Sequence, residues 1–103
     1  MCKSLVRHET GTSELKTPDG SEWISYWKTK TGLGIPPKCP CCGDNKDKSE
    51  FVGAHVYKYI DEAMGCNRPK YITPTCKSCN DKYKNGNSLQ KIFEVENKML
   101  LPV

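Results

Sequence analysis

The chain has 103 residues, 36% of them hydrophobic, with seven cysteines and a formal charge of +4 from 16 Lys and Arg against 12 Asp and Glu. That length excludes large α/β architectures and leaves room for one domain. So little apolar surface in so short a chain calls for an added staple, whether metal, disulfide or partner chain.

In chain order, residues 1–38 read as a polar, β-prone N-terminal extension. Gly11-Thr12-Ser13 and Pro18-Asp19-Gly20 are turn signals. The aromatic and β-branched run Glu22-Trp23-Ile24-Ser25-Tyr26-Trp27-Lys28 predicts a strand. Gly32, Gly34, Pro36 and Pro37 end any regular element before Cys39. Residues 51–60 predict a strand, 61–69 a loop with a helical turn, and Tyr71-Ile72-Thr73 a return strand. Residues 77–84 suit a short polar helix stopped by Asn85-Gly86. Residues 91–95 and 99–103 predict two strands around a Glu96-Asn97-Lys98 turn, giving a C-terminal β-hairpin over 87–103. No repeat or linker divides the chain, so 1–103 is expected to be a single domain.

No apolar run near the N-terminus resembles a signal-peptide core, and no stretch is long enough to span a membrane. A cytoplasmic protein without membrane contact is the expectation. In a reducing compartment paired cysteines bind metal more often than they form disulfides, and an odd cysteine count points the same way.

Cys39-Pro40-Cys41-Cys42-Gly43 and Cys76-Lys77-Ser78-Cys79-Asn80 form two pairs at C-x-x-C spacing. Together Cys39, Cys42, Cys76 and Cys79 supply four thiolates, a closed tetrahedral set for structural Zn²⁺. Two intervening residues let the chain wrap the ion with backbone N–H groups aimed at sulfur, and Gly43 eases the turn. The second pair falls at a predicted helix start, whose positive end favours thiolate. Cys41 competes with Cys42 for the fourth position; Cys42 is preferred because Cys39 with Cys41 would be C-x-C. Cys66 reads as a free loop thiol, and Cys2 has no assigned role. Four thiolates on one Zn²⁺ carry a net −2, which brings the metal-loaded charge down to about +2.

These cysteine motifs, with Val52-Gly53-Ala54-His55-Val56 and Tyr71-Ile72-Thr73-Pro74-Thr75 between them, resemble the zinc-bearing branch of the HNH (ββα-metal) endonucleases over residues 39–84. Val52-Gly53-Ala54-His55-Val56 and the run from Ile72 to Asn80 are also similar to small bacterial zinc proteins without an assigned activity. The resemblance implies an α+β treble clef over 39–86: a zinc knuckle, a β-hairpin, and a second knuckle at the start of a short helix, with strands flanking it. It makes His55 the general base and Asn80 a ligand of a catalytic Mg²⁺. Ala54 stands where the family has an anionic or histidine ligand, and Tyr71 or Ile72 where it has an orienting Asn. A metal that prefers anionic oxygen is thus poorly served. By strand alternation His55 shares a face with Gly53 and Tyr57, which equally suits a packed structural histidine.

From Arg68 to Lys84 five cations (Arg68, Lys70, Lys77, Lys82, Lys84) face one anion, Asp81, and Tyr71 and Tyr83 lie among them. Cations interleaved with aromatic rings are a nucleic-acid signal, for DNA or RNA; a solvated helix face is the plainer alternative. The sequence therefore points to a non-catalytic zinc-binding module that contacts nucleic acid through residues 68–84. Two alternatives stand beside it. One is an active HNH-type nuclease using His55. The other is a zinc-stabilised protein-interaction module built on Trp23, Trp27 and Leu100.

Overall fold

The structure, a computed structural model, describes residues 3–9, 17, 20, 22–83 and 92–103. Five strands, β1 (Lys3–His8), β2 (Phe51–Lys58), β3 (Tyr71–Cys76), β4 (Phe93–Glu96) and β5 (Leu101–Pro102), accompany two helices, α1 (Trp23–Thr31) and α2 (Lys77–Tyr83). The strands make one antiparallel sheet in the order β4-β1-β2-β3-β5. The class is α+β, as expected.

The hairpin β2–β3 lies where the sequence places it and runs further, pairing Phe51 with Cys76 at one end and Val56 with Tyr71 at the other. Its connection, residues 59–67, is a run of 3₁₀ helix in place of a loop with one helical turn. Among the described residues β5 pairs with β3 only at Tyr71 and Ile72, and Pro74, beyond that pairing, has no ladder bond to donate on that side.

Three features differ from the sequence-based expectation. Residues 3–8, within the supposed extension, form an interior strand paired with both β2 and β4. The segment 23–31 is a helix, not a strand. Trp23, Tyr26, Trp27 and Lys30 recur at helical spacing: Trp23 meets Tyr26 edge-on at 5.6 Å, and Lys30 lies over Tyr26. Gly32 closes the helix at φ +70°, donating its N–H to the Lys28 carbonyl at 2.9 Å. The 3.6-residue period, which buries Trp27 completely, prevails over β propensity. Finally, β4 and β5 do not form a hairpin with one another; they add to opposite edges of the sheet. Phe93 pairs with Val6 on one edge, and Leu101 with Ile72 on the other. The 3₁₀ turn Asn97–Met99 carries the chain across, held where Trp27 Nε1 donates to the Met99 carbonyl at 2.9 Å. Asn85, Gly86 and residues 87–91 lie outside the described residues.

Helix α1 packs on β2, β3 and β5, and Gly53 sets how closely. A Cβ on Gly53 would stand 2.6 Å from the Trp23 carbonyl carbon and 2.7 Å from the Ile24 nitrogen. Those obstacles are backbone and cannot rotate away. Gly53→Ala is therefore expected to cost about 2–3 kcal/mol, the upper part of the range for overpacking. Urea unfolding measures this, and a variant as stable as the parent would mean that α1 is not seated against β2.

The buried cluster joins Val6, Phe51, Ala54, Val56, Phe93, Val95 and Leu100 to Cys39, Cys41, Cys76 and Cys79. The cysteines thus form one side of the hydrophobic core. Trp27 and Leu100, considered above as an interaction surface, are buried. Among the described residues no helix is long and apolar enough to cross a membrane.

Candidate metal centre

Residues 38–45 fold into a tight knuckle. Lys38 bridges Asn45 across it, Cys39 donates its N–H to the Asp44 carbonyl at 3.0 Å, and Gly43 donates to the Cys39 carbonyl at 2.7 Å. Gly43 adopts φ +78°, a conformation that L side chains rarely take. The second pair is delivered differently: Cys76 ends β3 and Cys79 lies in the first turn of α2. Because Cys76 pairs with Phe51 at the end of the hairpin, sheet register places the second pair beside the knuckle.

The Sγ atoms of Cys39, Cys42, Cys76 and Cys79 all lie within 4.8 Å of one another. Cys39–Cys79 and Cys42–Cys76 are both separated by 3.9 Å. A tetrahedral ion with metal–sulfur bonds of about 2.3 Å requires sulfur–sulfur separations of roughly 3.8 Å, whereas a disulfide requires about 2.05 Å. The spacing matches a metal–thiolate set and excludes disulfides between these atoms.

The surrounding backbone supplies the donors such a set needs. Cys76 directs its N–H to Cys39 Sγ at 3.2 Å, and the N–H groups of Cys42 and Cys41 reach the same sulfur. Burial alone would raise the Cys39 thiol pKa, but these donors outweigh it and hold the thiol below its ordinary value. Burial pushes Cys76 up, partly offset by the Cys79 N–H, and pushes Cys79 up further with the help of neighbouring sulfurs. Four sulfurs crowded in this way favour a cation that takes the place of their protons. Lys46 stands close enough to Cys76 and Cys42 for their charge to raise its own pKa, an outer positive charge that the cysteine spacing gave no sign of. The fourth member of the group is Cys42, and its neighbour Cys41 is 2% exposed.

No protein family, curated protein or solved structure matches the chain. What the centre does is read from its own chemistry.

The other candidates from the sequence do not assemble into one site. His55 is 5% exposed on β2, its Nε2 without a hydrogen-bond partner among the described residues, and the Trp23 ring meets it edge-on at 4.6 Å. Burial first, then the Lys70 charge, depress its pKa to about 4, with Glu9 opposing. Asn80 is half-buried on α2 and shares no hydrogen bond with His55 among the described residues.

Arg68 is withdrawn from the cationic patch. Its guanidinium grips Glu9 with two hydrogen bonds, Nε–Oε2 at 3.0 Å and Nη2–Oε1 at 2.7 Å, and stacks 3.8 Å from the Tyr57 ring centroid. The adjoining Arg7 and Tyr57 both donate to Glu62 Oε1, at 2.5 and 2.8 Å. The Glu9–Arg68 pair joins residues 59 positions apart in the chain, and nothing in local sequence marks it. Lys70 is half-buried and Lys77 exposed. One face of Tyr71 is taken by Lys58, 5.3 Å from the ring centroid. The side chains of Lys82, Tyr83 and Cys66, and residues Lys84 and Cys2 entirely, lie outside the described residues.

Proposed function

We propose that Cys39, Cys42, Cys76 and Cys79 hold a structural Zn²⁺. In this reading the knuckle, the hairpin β2–β3 and α2 form a zinc-bearing treble clef, and the chain is a non-catalytic binding module whose leading partner is nucleic acid. The four-sulfur cluster carries the proposal. A complete thiolate set leaves the ion no open position for substrate or water, which suits a structural rather than a catalytic zinc.

The likeness to HNH endonucleases then extends to the scaffold and not to its chemistry. His55 lies beneath Trp23, and water activation needs a base within hydrogen-bond reach of the attacking water. Ala54, fully buried, has no atom for a metal. Incubation of DNA or RNA with the protein and Mg²⁺ or Mn²⁺ is expected to leave the strands intact. Cleavage that disappears in His55→Ala would replace the non-catalytic reading with a nuclease.

For nucleic acid the cations that remain after Arg68 are Lys70, Lys77, Lys82 and Lys84. Binding through four such contacts to duplex DNA should weaken with a log–log salt slope of about −3 to −4. Lys77→Ala should reduce that slope by about 1. Fluorescence anisotropy across a salt series measures both, and absence of binding at low salt would overturn the nucleic-acid assignment. One observation then favours a protein partner instead: an open groove of about 660 Å³ beside the knuckle, whose walls include Leu33, Pro36, Pro40, Val95 and Met99.

A further inference from the structure

The knuckle carries one sulfur more than the metal needs. Cys41 is 2% exposed, belongs to the same buried cluster as Cys39, Cys76 and Cys79, and lies within hydrogen-bond reach of the Cys79 sulfur. Its backbone N–H already points at Cys39 Sγ. Its neighbour Cys42, which completes the four-sulfur group, is the least buried member. Adjacent residues of one tight turn thus present one sulfur to the metal position and solvent, and the other to the buried side of the same centre. If Cys41 were only a small core hydrophobe, nothing would require its sulfur to lie against a ligand.

We propose that Cys41 is a reserve ligand: when Cys42 is removed or capped by an electrophile, Cys41 Sγ takes the fourth position and the centre remains a four-thiolate site. On capping, the Cys42 sulfur leaves the metal and bonds the alkylating electrophile, whose leaving group departs as an anion; the Cys41 thiol gives its proton to solvent, and a Cys41 sulfur–metal bond forms. The knuckle changes from C-x-x-C to C-x-C ligation, and Gly43 at φ +78° keeps the turn closed beneath it. The module would keep its metal after damage at its most accessible ligand. The inference rests on the zinc reading above.

The test uses the full chain as wild type and as Cys41→Ala, Cys42→Ala, the double variant, and Cys39→Ala. Each is loaded with Zn²⁺ for native mass spectrometry and with Co²⁺ for its sulfur-to-metal charge-transfer band, whose intensity counts thiolates. Wild type, Cys41→Ala and Cys42→Ala are expected to hold one ion at four-thiolate intensity. The double variant should fall to about three quarters of that intensity or lose the metal, because only three thiolates remain of a four-ligand set. The signature is non-additivity, with Cys41→Ala silent alone and damaging only when Cys42 is absent. Cys39→Ala should fail, since Cys39 is the sulfur to which the knuckle directs its N–H groups. A Cys42→Ala chain that shows three thiolates, or that holds no metal and does not fold, overturns the reserve role. Wild type that binds no ion at all overturns the zinc reading instead.

Discussion

With Zn²⁺ held as proposed above, a strong chelator is expected to unfold the protein. A structural zinc site contributes an apparent 10–16 kcal/mol in small metal-dependent peptides, roughly, and whole domains are stable by about 5–15 kcal/mol. The loss therefore equals or exceeds what the fold has to lose. Geometry adds to the effect. Cys39, Cys76 and Cys79 stand in the same buried cluster as Phe51, Ala54 and Val56, so removing the ion leaves mutually repelling or unpaired sulfurs against the core. Cys39→Ser and Cys76→Ser should behave like the chelated wild type. Far-UV circular dichroism and thermal melting read the result, and returning the metal should restore the chelated wild type but neither variant. An unchanged melt after verified metal removal would refute the staple.

A second large effect is expected on acidification. Burial holds the His8 pKa at about 4, and burial together with Lys70 brings His55 to about 4 as well. Both rings are neutral in the fold, whereas in the unfolded chain they protonate near 6.5. The unfolded state then binds more protons, so stability is complete above pH 6.5 and is lost as the pH falls from 6.5 towards 4. His8, 1% exposed beside Phe93, contributes on the order of 3 kcal/mol to this dependence. His55 contributes less, because part of its shift comes from half-exposed Lys70, whose charge solvent and salt screen. Thiolate protonation also weakens a metal site in acid, so wild type must be compared with His8→Phe/His55→Gln at matched metal loading. Urea unfolding from pH 7.5 to 5.5 should give a shallower decline in the variant. Equal slopes would mean that the two histidines are not held neutral.

Legibility from sequence followed the range of the interaction. The hairpin β2–β3 and the cysteine pairs rest on local patterns, an apolar and β-prone run in 51–60 and two C-x-x-C spacings, and these carried through to the fold. Register sets Cys76 opposite Phe51, shortly after the knuckle in the chain, and the Cys76 N–H reaches Cys39 Sγ, so the four-sulfur group needed little beyond them. In helix α1 Trp, Ile and Tyr favour strands as residue types, while their spacing and Gly32 favour the helix that forms. The pairing of β4 with β1 and of β5 with β3 is long-range and left no local trace. The same holds for Glu9 and Arg68: a run of cations is visible in the sequence, but a carboxylate far along the chain that neutralises one of them is not. His55 looked like a base by its neighbours in sequence, and it is Trp23, distant in the chain, that covers it.

The placement of β1 between β2 and β4 also bears on the order in which the molecule assembles. Leu5 pairs with Glu94, so closing that edge joins residues from nearly opposite ends of the chain, an entropic cost that grows with loop length. The hairpin β2–β3 and its cysteines span a much shorter loop, which an ion can close early. With the ion held as proposed, folding should therefore proceed from the clamped hairpin outward, with the β1–β4 pairing as the slow, final step, since non-local contacts retard folding.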